Sequence, residues 1–198
     1  MTLRIFLIAS TLLALVVVAA SVRGEDVEAG RRKSQTCAAC HGADGNATIA
    51  GTPSLAGHPA YYTHWQLLMF RNETRRDPQM TPLAANLSDD DMADLAAYYA
   101  TQTSRPRQGR PTIDAATQQA GARLTAALHC TQCHGPGLMG QQAVPRLVGQ
   151  DQPYLLKRLR GYKAQTTRDL DGQMSSAAQP LTMDDIDVLA KYIASLPR

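Results

Sequence analysis

The 198-residue chain has four cysteines, and they fall in two pairs: Cys37-Ala38-Ala39-Cys40-His41 and Cys130-Thr131-Gln132-Cys133-His134. No other feature constrains the fold as strongly. Two thiols three residues apart, with an imidazole directly after, form the attachment signature of c-type haem. Each thiol can form a thioether to one vinyl group, and the adjacent histidine swings under the iron as proximal ligand. Two disulfides would be the ordinary expectation for four cysteines in an exported protein, but the histidine after each pair argues otherwise. Zinc knuckles stand roughly 15–20 residues apart, whereas about 90 separate these pairs. A thioredoxin-like pair needs a βαβ setting, which the helical pattern does not offer. The motifs therefore predict two covalently bound haem c, held by Cys37, Cys40, Cys130 and Cys133, with His41 and His134 on the irons.

The surrounding sequence repeats with the motif. Pro53-Ser54-Leu55-Ala56-Gly57 matches Pro145-Arg146-Leu147-Val148-Gly149. Tyr62 matches Tyr154, Leu67 matches Leu159, and Arg76 matches Arg168. Leu87-Ser88-Asp89-Asp90-Asp91 parallels Leu181-Thr182-Met183-Asp184-Asp185, and Tyr98 matches Tyr192. The division predicted is a leader over 1–20, a first domain over 21–104, a linker over 105–111 and a second domain over 112–198. Domains this small rarely hold together on an apolar core alone. With aromatics at only 5%, a tethered haem would supply the missing apolar bulk.

The expected class is all-α. Ser88 suits an N-cap, and Asp89 to Asp91 suit the positive end of the helix that follows. Met92, Leu95, Ala96 and Tyr99 form its helical stripe; Thr182 repeats the cap, and Ile186, Leu189, Ala190 and Ile193 repeat the stripe. Pro59 and Pro153 stand where first-turn prolines open helices, leading into Tyr61–Arg71 and Tyr154–Lys163. A further helix is expected over Asp114 to Leu128.

A proximal histidine leaves one axial position on each iron. Met80 lies 39 residues after His41, and Met174 lies 40 after His134. Each follows the central helix, on a connecting loop able to cross the far haem face. A thioether is a soft neutral ligand that favours ferrous iron and raises the potential. A methionine is more often core filler, but no other methionine shares this paired position. His58 reads as a loop residue rather than a ligand, because its counterpart is Gln150. His64 reads as a helix residue, and His129 as one that packs beside the haem or faces solvent.

Arg4 precedes an apolar run from Ile5 to Ala20 that ends in small residues. This is the pattern of a cleaved secretory signal, with an uncleaved anchor as the alternative. A net charge of +3, with no basic cluster interleaved with aromatics, gives no ground for a nucleic-acid partner.

In combination, two C-x-x-C-H-G units, each followed by P-x-L-x-G, a tyrosine-bearing helix, a paired methionine and an acidic capped helix, resemble the dihaem cytochrome c4 family. The resemblance implies two tandem class I cytochrome c folds related by a pseudo-two-fold axis, with the haems near the interface. It also implies that the carbonyls of Pro53 and Pro145 accept from Nδ1–H of His41 and His134. Two departures stand out. His58 occupies a position where the family commonly has glutamine, and Gly135-Pro136-Gly137 replaces the usual Asp-Gly run. The implied activity is single-electron relay in the periplasm, not catalysis, from a quinol-oxidising cytochrome complex toward a terminal haem–copper oxidase, with peripheral membrane association as an option. The alternative is the dihaem subunit of a flavocytochrome c sulfide dehydrogenase-type complex, with a flavoprotein as partner. A dihaem peroxidase is the third reading; it needs an iron with an open or displaceable ligand, and no such asymmetry is visible.

Overall fold

The computed structural model describes residues 25–197, so the predicted leader over 1–20 lies outside the described residues. The first half folds as α1 (Val27–Lys33), α2 (Ala38–His41), α3 (Ala60–Arg71), α4 (Met80–Ala84) and α5 (Asp89–Thr101). The second half repeats the order with α6 (Ala115–Ala127), α7 (Cys130–His134), α8 (Gln152–Lys163), α9 (Gln173–Ala178) and α10 (Met183–Ser195). No β-strand forms among the described residues beyond an isolated bridge between Gln141 and Val144.

Local chemistry sets the terminal helices. Ser88 and Thr182 each close a reciprocal capping box with Asp91 and Asp185, and so satisfy donors that the first turn leaves orphaned. Both predicted stripes are buried, from Met92 to Tyr99 and from Ile186 to Ile193. Pro153 lies in the first turn of α8, whereas Pro59 is the N-cap of α3, one position earlier than expected.

In each half the first helix crosses the last at a glycine. A Cβ on Gly30 would lie 2.0 Å from the Asp94 carbonyl oxygen, and one on Gly121 would lie 2.2 Å from Tyr192 Cγ. Only a residue without a side chain permits that approach. The first crossing is clamped by Lys33, which pairs with Asp91 at 2.7 Å and Asp94 at 2.6 Å. The Lys33 hydrogen bond, with help from Ser88, pulls Asp91 down to about 2.

Two apolar clusters result, one around Leu95, Tyr98 and Tyr99, the other around Leu138, Leu155, Leu181 and the α10 stripe. Cys37 packs against the first and Cys130 against the second. The apolar interior of each half therefore ends at a cysteine of its motif.

The halves meet through polar groups at equivalent positions. Gln150 brackets the Ser54 backbone, accepting from its N–H at 3.0 Å and donating to its carbonyl at 2.7 Å. His58, the repeat partner of Gln150, accepts from the N–H of Arg146, the repeat partner of Ser54, at 3.3 Å. Residue i meets j while j meets i, which is the signature of a two-fold relation. Arg146 is buried and donates to the Ala56 carbonyl across the boundary at 3.0 Å.

The segment over 105–111 is stitched down. Arg105 pairs with Asp44 at 2.8 Å, and Arg110 donates to the Leu196 carbonyl at 2.9 Å. Arg107 donates to the Thr52 carbonyl and pairs with Asp151 at 3.1 Å, with both side chains nearly buried.

Candidate haem sites

Each motif forms a short helix that delivers its histidine inward. His41 closes α2 and His134 closes α7; both are buried. His41 Nδ1 lies 2.9 Å from the Pro53 carbonyl oxygen, and His134 Nδ1 lies 2.8 Å from that of Pro145. A carbonyl only accepts, so Nδ1 carries the proton and Nε2 presents its lone pair. That tautomer is the one a metal needs, and the bond also fixes the ring plane. Burial lowers both imidazole pKa values against the opposing pull of the carbonyl bond, which favours the neutral, ligating form.

No disulfide joins the four cysteines; Cys40 and Cys133 are exposed, and Cys37 and Cys130 are partly buried. Burial raises the Cys37 and Cys130 thiols above their ordinary pKa. Two cysteines three residues apart beside a buried, oriented imidazole fit covalent haem.

Met80 opens α4 and Met174 is the second residue of α9, and these helices pack against α3 and α8 respectively. The methionines were expected on loops, but each lies in a short helix. The reason is a carboxylate upstream. Asp77 Oδ1 accepts from Met80 N–H at 3.2 Å and from Gln79 N–H at 3.1 Å. Asp169 Oδ2 accepts from Met174 N–H at 2.6 Å. Sequence reasoning missed both aspartates, although the repeated Arg-Asp dipeptides at 76–77 and 168–169 carried the signal.

The departure at Gly135-Pro136-Gly137 also has a structural answer. In the first half Gly45, at φ +78°, accepts from Leu55 N–H at 2.6 Å and Ala56 N–H at 3.0 Å. In the second half Leu138, at φ +59°, accepts from the repeat partners Leu147 and Val148 at 2.8 and 3.4 Å. The left-handed corner is kept, but a leucine now occupies it. A Cβ on Gly45 would meet the Tyr99 ring at 2.7 Å. The residue matching Tyr99 is the smaller Ile193, and the Leu138 side chain lies buried in the same cluster.

Of the remaining histidines, His58 lies in a loop and is buried at the boundary, His64 is half-buried on α3, and His129 is exposed at the start of α7. Among the described residues, no helix is long and apolar enough to cross a membrane.

A twice-repeated helical unit, each holding an oriented buried histidine behind two cysteines, defines a two-domain c-type cytochrome. A family model described as Cytochrome c matches residues 27–103 and again 118–197. A cytochrome c4 from Pseudomonas aeruginosa is 35% identical over 198 residues, covering 96% of this chain and 98% of that protein. A thiosulfate dehydrogenase electron acceptor from Stutzerimonas stutzeri is 35% identical over 175 residues, covering 82% of this chain and 80% of that protein. The crystal structure of reduced recombinant cytochrome c4 from Pseudomonas stutzeri superposes with a TM-score of 0.79 at 32% identity, covering 88% of this chain and all of that one. The chain belongs to the dihaem cytochrome c4 family. It is an electron-transfer cytochrome with two covalently bound haem c.

Proposed function

We propose that Cys37 and Cys40 hold one haem and Cys130 and Cys133 the other. His41 and Met80 are the axial ligands in the first domain (21–104), and His134 and Met174 in the second (112–198), with 105–111 joining the two. When bound, each haem supplies a one-electron iron couple and an apolar body for its domain. The observation that carries the reading is the duplicate geometry: in both domains a histidine is locked through Nδ1 to a proline carbonyl, and a methionine is held on a carboxylate-anchored turn. Such a ligand set leaves no coordination position for substrate. The protein therefore relays single electrons in the periplasm, accepting them from a quinol-oxidising cytochrome complex and delivering them to a haem–copper oxidase.

A second reading draws on the relatives named as thiosulfate dehydrogenase electron acceptors. In it the donor is a dehydrogenase of a reduced sulfur compound, a flavoprotein included, and the chain serves as its dihaem partner.

A paired assay of peroxide turnover and electron delivery tests the relay. Wild type is expected to deliver electrons to an oxidase preparation with negligible peroxide turnover. Met80→Ala and Met174→Ala are each expected to remove about half of the weak far-red band of a sulfur–ferric bond and to open one iron to peroxide. Substantial wild-type peroxide turnover with no delivery to any oxidase rejects the relay. Fast reduction by a sulfur-compound dehydrogenase, with none by the quinol-oxidising complex, selects the second reading.

A further inference from the structure

The Tyr99 hydroxyl is buried beside the first attachment motif, and among the described residues no hydrogen bond closes on it. The adjacent Tyr98 differs, because its hydroxyl donates to the Ala43 carbonyl at 3.1 Å. Tyr99 belongs to the apolar cluster against which Cys37 packs. From other elements, the polar groups that bear on its hydroxyl are Cys37 and Ser34. Burial first, then Cys37, pushes the phenol above its ordinary range, while burial raises the Cys37 thiol against a contrary pull from Tyr99. Ser34 is buried too, and its own proton is committed to the Arg31 carbonyl at 2.9 Å.

The repeat register shows that packing does not require this hydroxyl. With Cys37 matching Cys130 and Tyr98 matching Tyr192, Ser34 matches Ala127 and Tyr99 matches Ile193. The second domain builds the same corner with no hydroxyl at either position. The Tyr99 ring lies against Gly45, and a phenylalanine ring would fill that space equally well. A buried hydroxyl without a partner costs stability. The one on Tyr99 therefore implies an acceptor that the polypeptide by itself does not complete.

Attachment of the haem would supply that acceptor. The Cys37 thiol adds across a vinyl group: a carbon–sulfur bond forms, the vinyl π bond breaks, and the thiol proton passes to the other vinyl carbon. The sulfur then carries lone pairs only, so a bond with Tyr99 runs in one direction, from phenol to sulfur. Resting on the haem reading above, we propose that Tyr99 donates a hydrogen bond to the Cys37 thioether and so raises the potential of the first haem. The donated bond draws electron density from the macrocycle's substituent, which favours ferrous iron. Tyr99 is a positioning residue that acts through the sulfur and not on the iron. With Ile193 and Ala127 in its place, the second haem receives no such bond, so this influence distinguishes the two haems.

The test joins a spectroelectrochemical titration of the full two-haem protein to resonance Raman spectra of its thioether carbon–sulfur bands. Each midpoint is assigned from the one that falls in Met80→Ala or Met174→Ala. Tyr99→Phe keeps the ring and removes only the hydroxyl. It is expected to lower the first-domain midpoint by about threefold in its reduction equilibrium, or about 28 mV for one electron, and to leave the second unchanged. In wild type, one carbon–sulfur band is expected to move on full exchange into deuterium oxide, and Tyr99→Phe is expected to abolish that sensitivity. Ser34→Ala, which removes the competing acceptor, is expected to keep both the band and the midpoint. An unchanged or raised first midpoint in fully loaded Tyr99→Phe, or an equal shift of both midpoints, overturns the proposal. Wild-type bands insensitive to deuterium overturn it even where the variant fails to load its haems. A fall in Ser34→Ala equal to that in Tyr99→Phe makes the serine the partner and overturns it as well. A wild-type mass lacking two haems instead rejects the haem reading.

Discussion

Leu138 adopts a backbone conformation that costs an L-residue about 1–2 kcal/mol, yet its side chain is almost fully buried. Leucine is retained because the two effects are unequal. Removing a buried leucine side chain costs about 2–5 kcal/mol, more than the strain that glycine would relieve. Leu138→Gly is therefore expected to lower stability by about 1–3 kcal/mol, as thermal unfolding of the holoprotein would show; an increase would mean that strain dominates. His58 illustrates a different cost. Its ring nitrogens face the Arg146 N–H and the Gln150 amide at 3.3 and 2.8 Å, and its ring lies 5.1 Å from that of Tyr62. Burial first, then the Arg146 charge, lowers its pKa from 6.5 to about 3. A folded pKa below the unfolded one means the neutral form is favoured by folding. The stability it confers is present above about pH 6.5 and is lost as pH falls toward 3, on the order of 5 kcal/mol in full. His58→Gln is expected to flatten the thermal midpoint between pH 6 and 4 relative to wild type; parallel curves would contradict this.

At the scale of elements, the crossings of α1 with α5 and of α6 with α10 hold each motif against its core. Gly121→Ala would press a methyl group against the base of the Tyr192 ring, and Gly30→Ala would press one against a backbone carbonyl. Overpacking of this kind costs about 1–3 kcal/mol. Gly30→Ala is expected to be the worse of the two, because a carbonyl on a capped helix has less room to yield than a ring. Chemical denaturation of the two variants would check the ranking, and a neutral Gly30→Ala would show that the helices separate freely. The same scale accounts for the methionine turns. Spacing alone suggested loops, but an aspartate three residues before Met80 and another five before Met174 collect N–H donors and turn each segment into the start of a helix.

For the whole molecule, the boundary is polar and its side chains are largely buried. The Arg107–Asp151 pair, with side chains 8% and 12% exposed, binds the joining segment to the second domain, while Arg107 also reaches the first. Breaking one partner of a buried pair costs about 3–5 kcal/mol. Arg107→Ala is expected to turn a single calorimetric transition into two resolved ones, with both haems still attached. One transition at an unchanged midpoint would mean that the boundary does not couple the domains.

The sequence by itself determined what depends on neighbours along the chain: the haem attachment motifs, the capped terminal helices and their buried stripes, and the tandem repeat that Met80 and Met174 share. Short-range chemistry is written in short spacings, and a repeat doubles each signal. Three-dimensional contact decided the rest. His58 read as a loop histidine because nothing near it in sequence reveals that Arg146 and Gln150, 88 and 92 residues away, would enclose it. The exchange of Gly45 with Tyr99 for Leu138 with Ile193 was invisible because each half of the compensation lies on a different element. Burial, partner and electrostatic field are properties of the assembled interior, and no local pattern contains them.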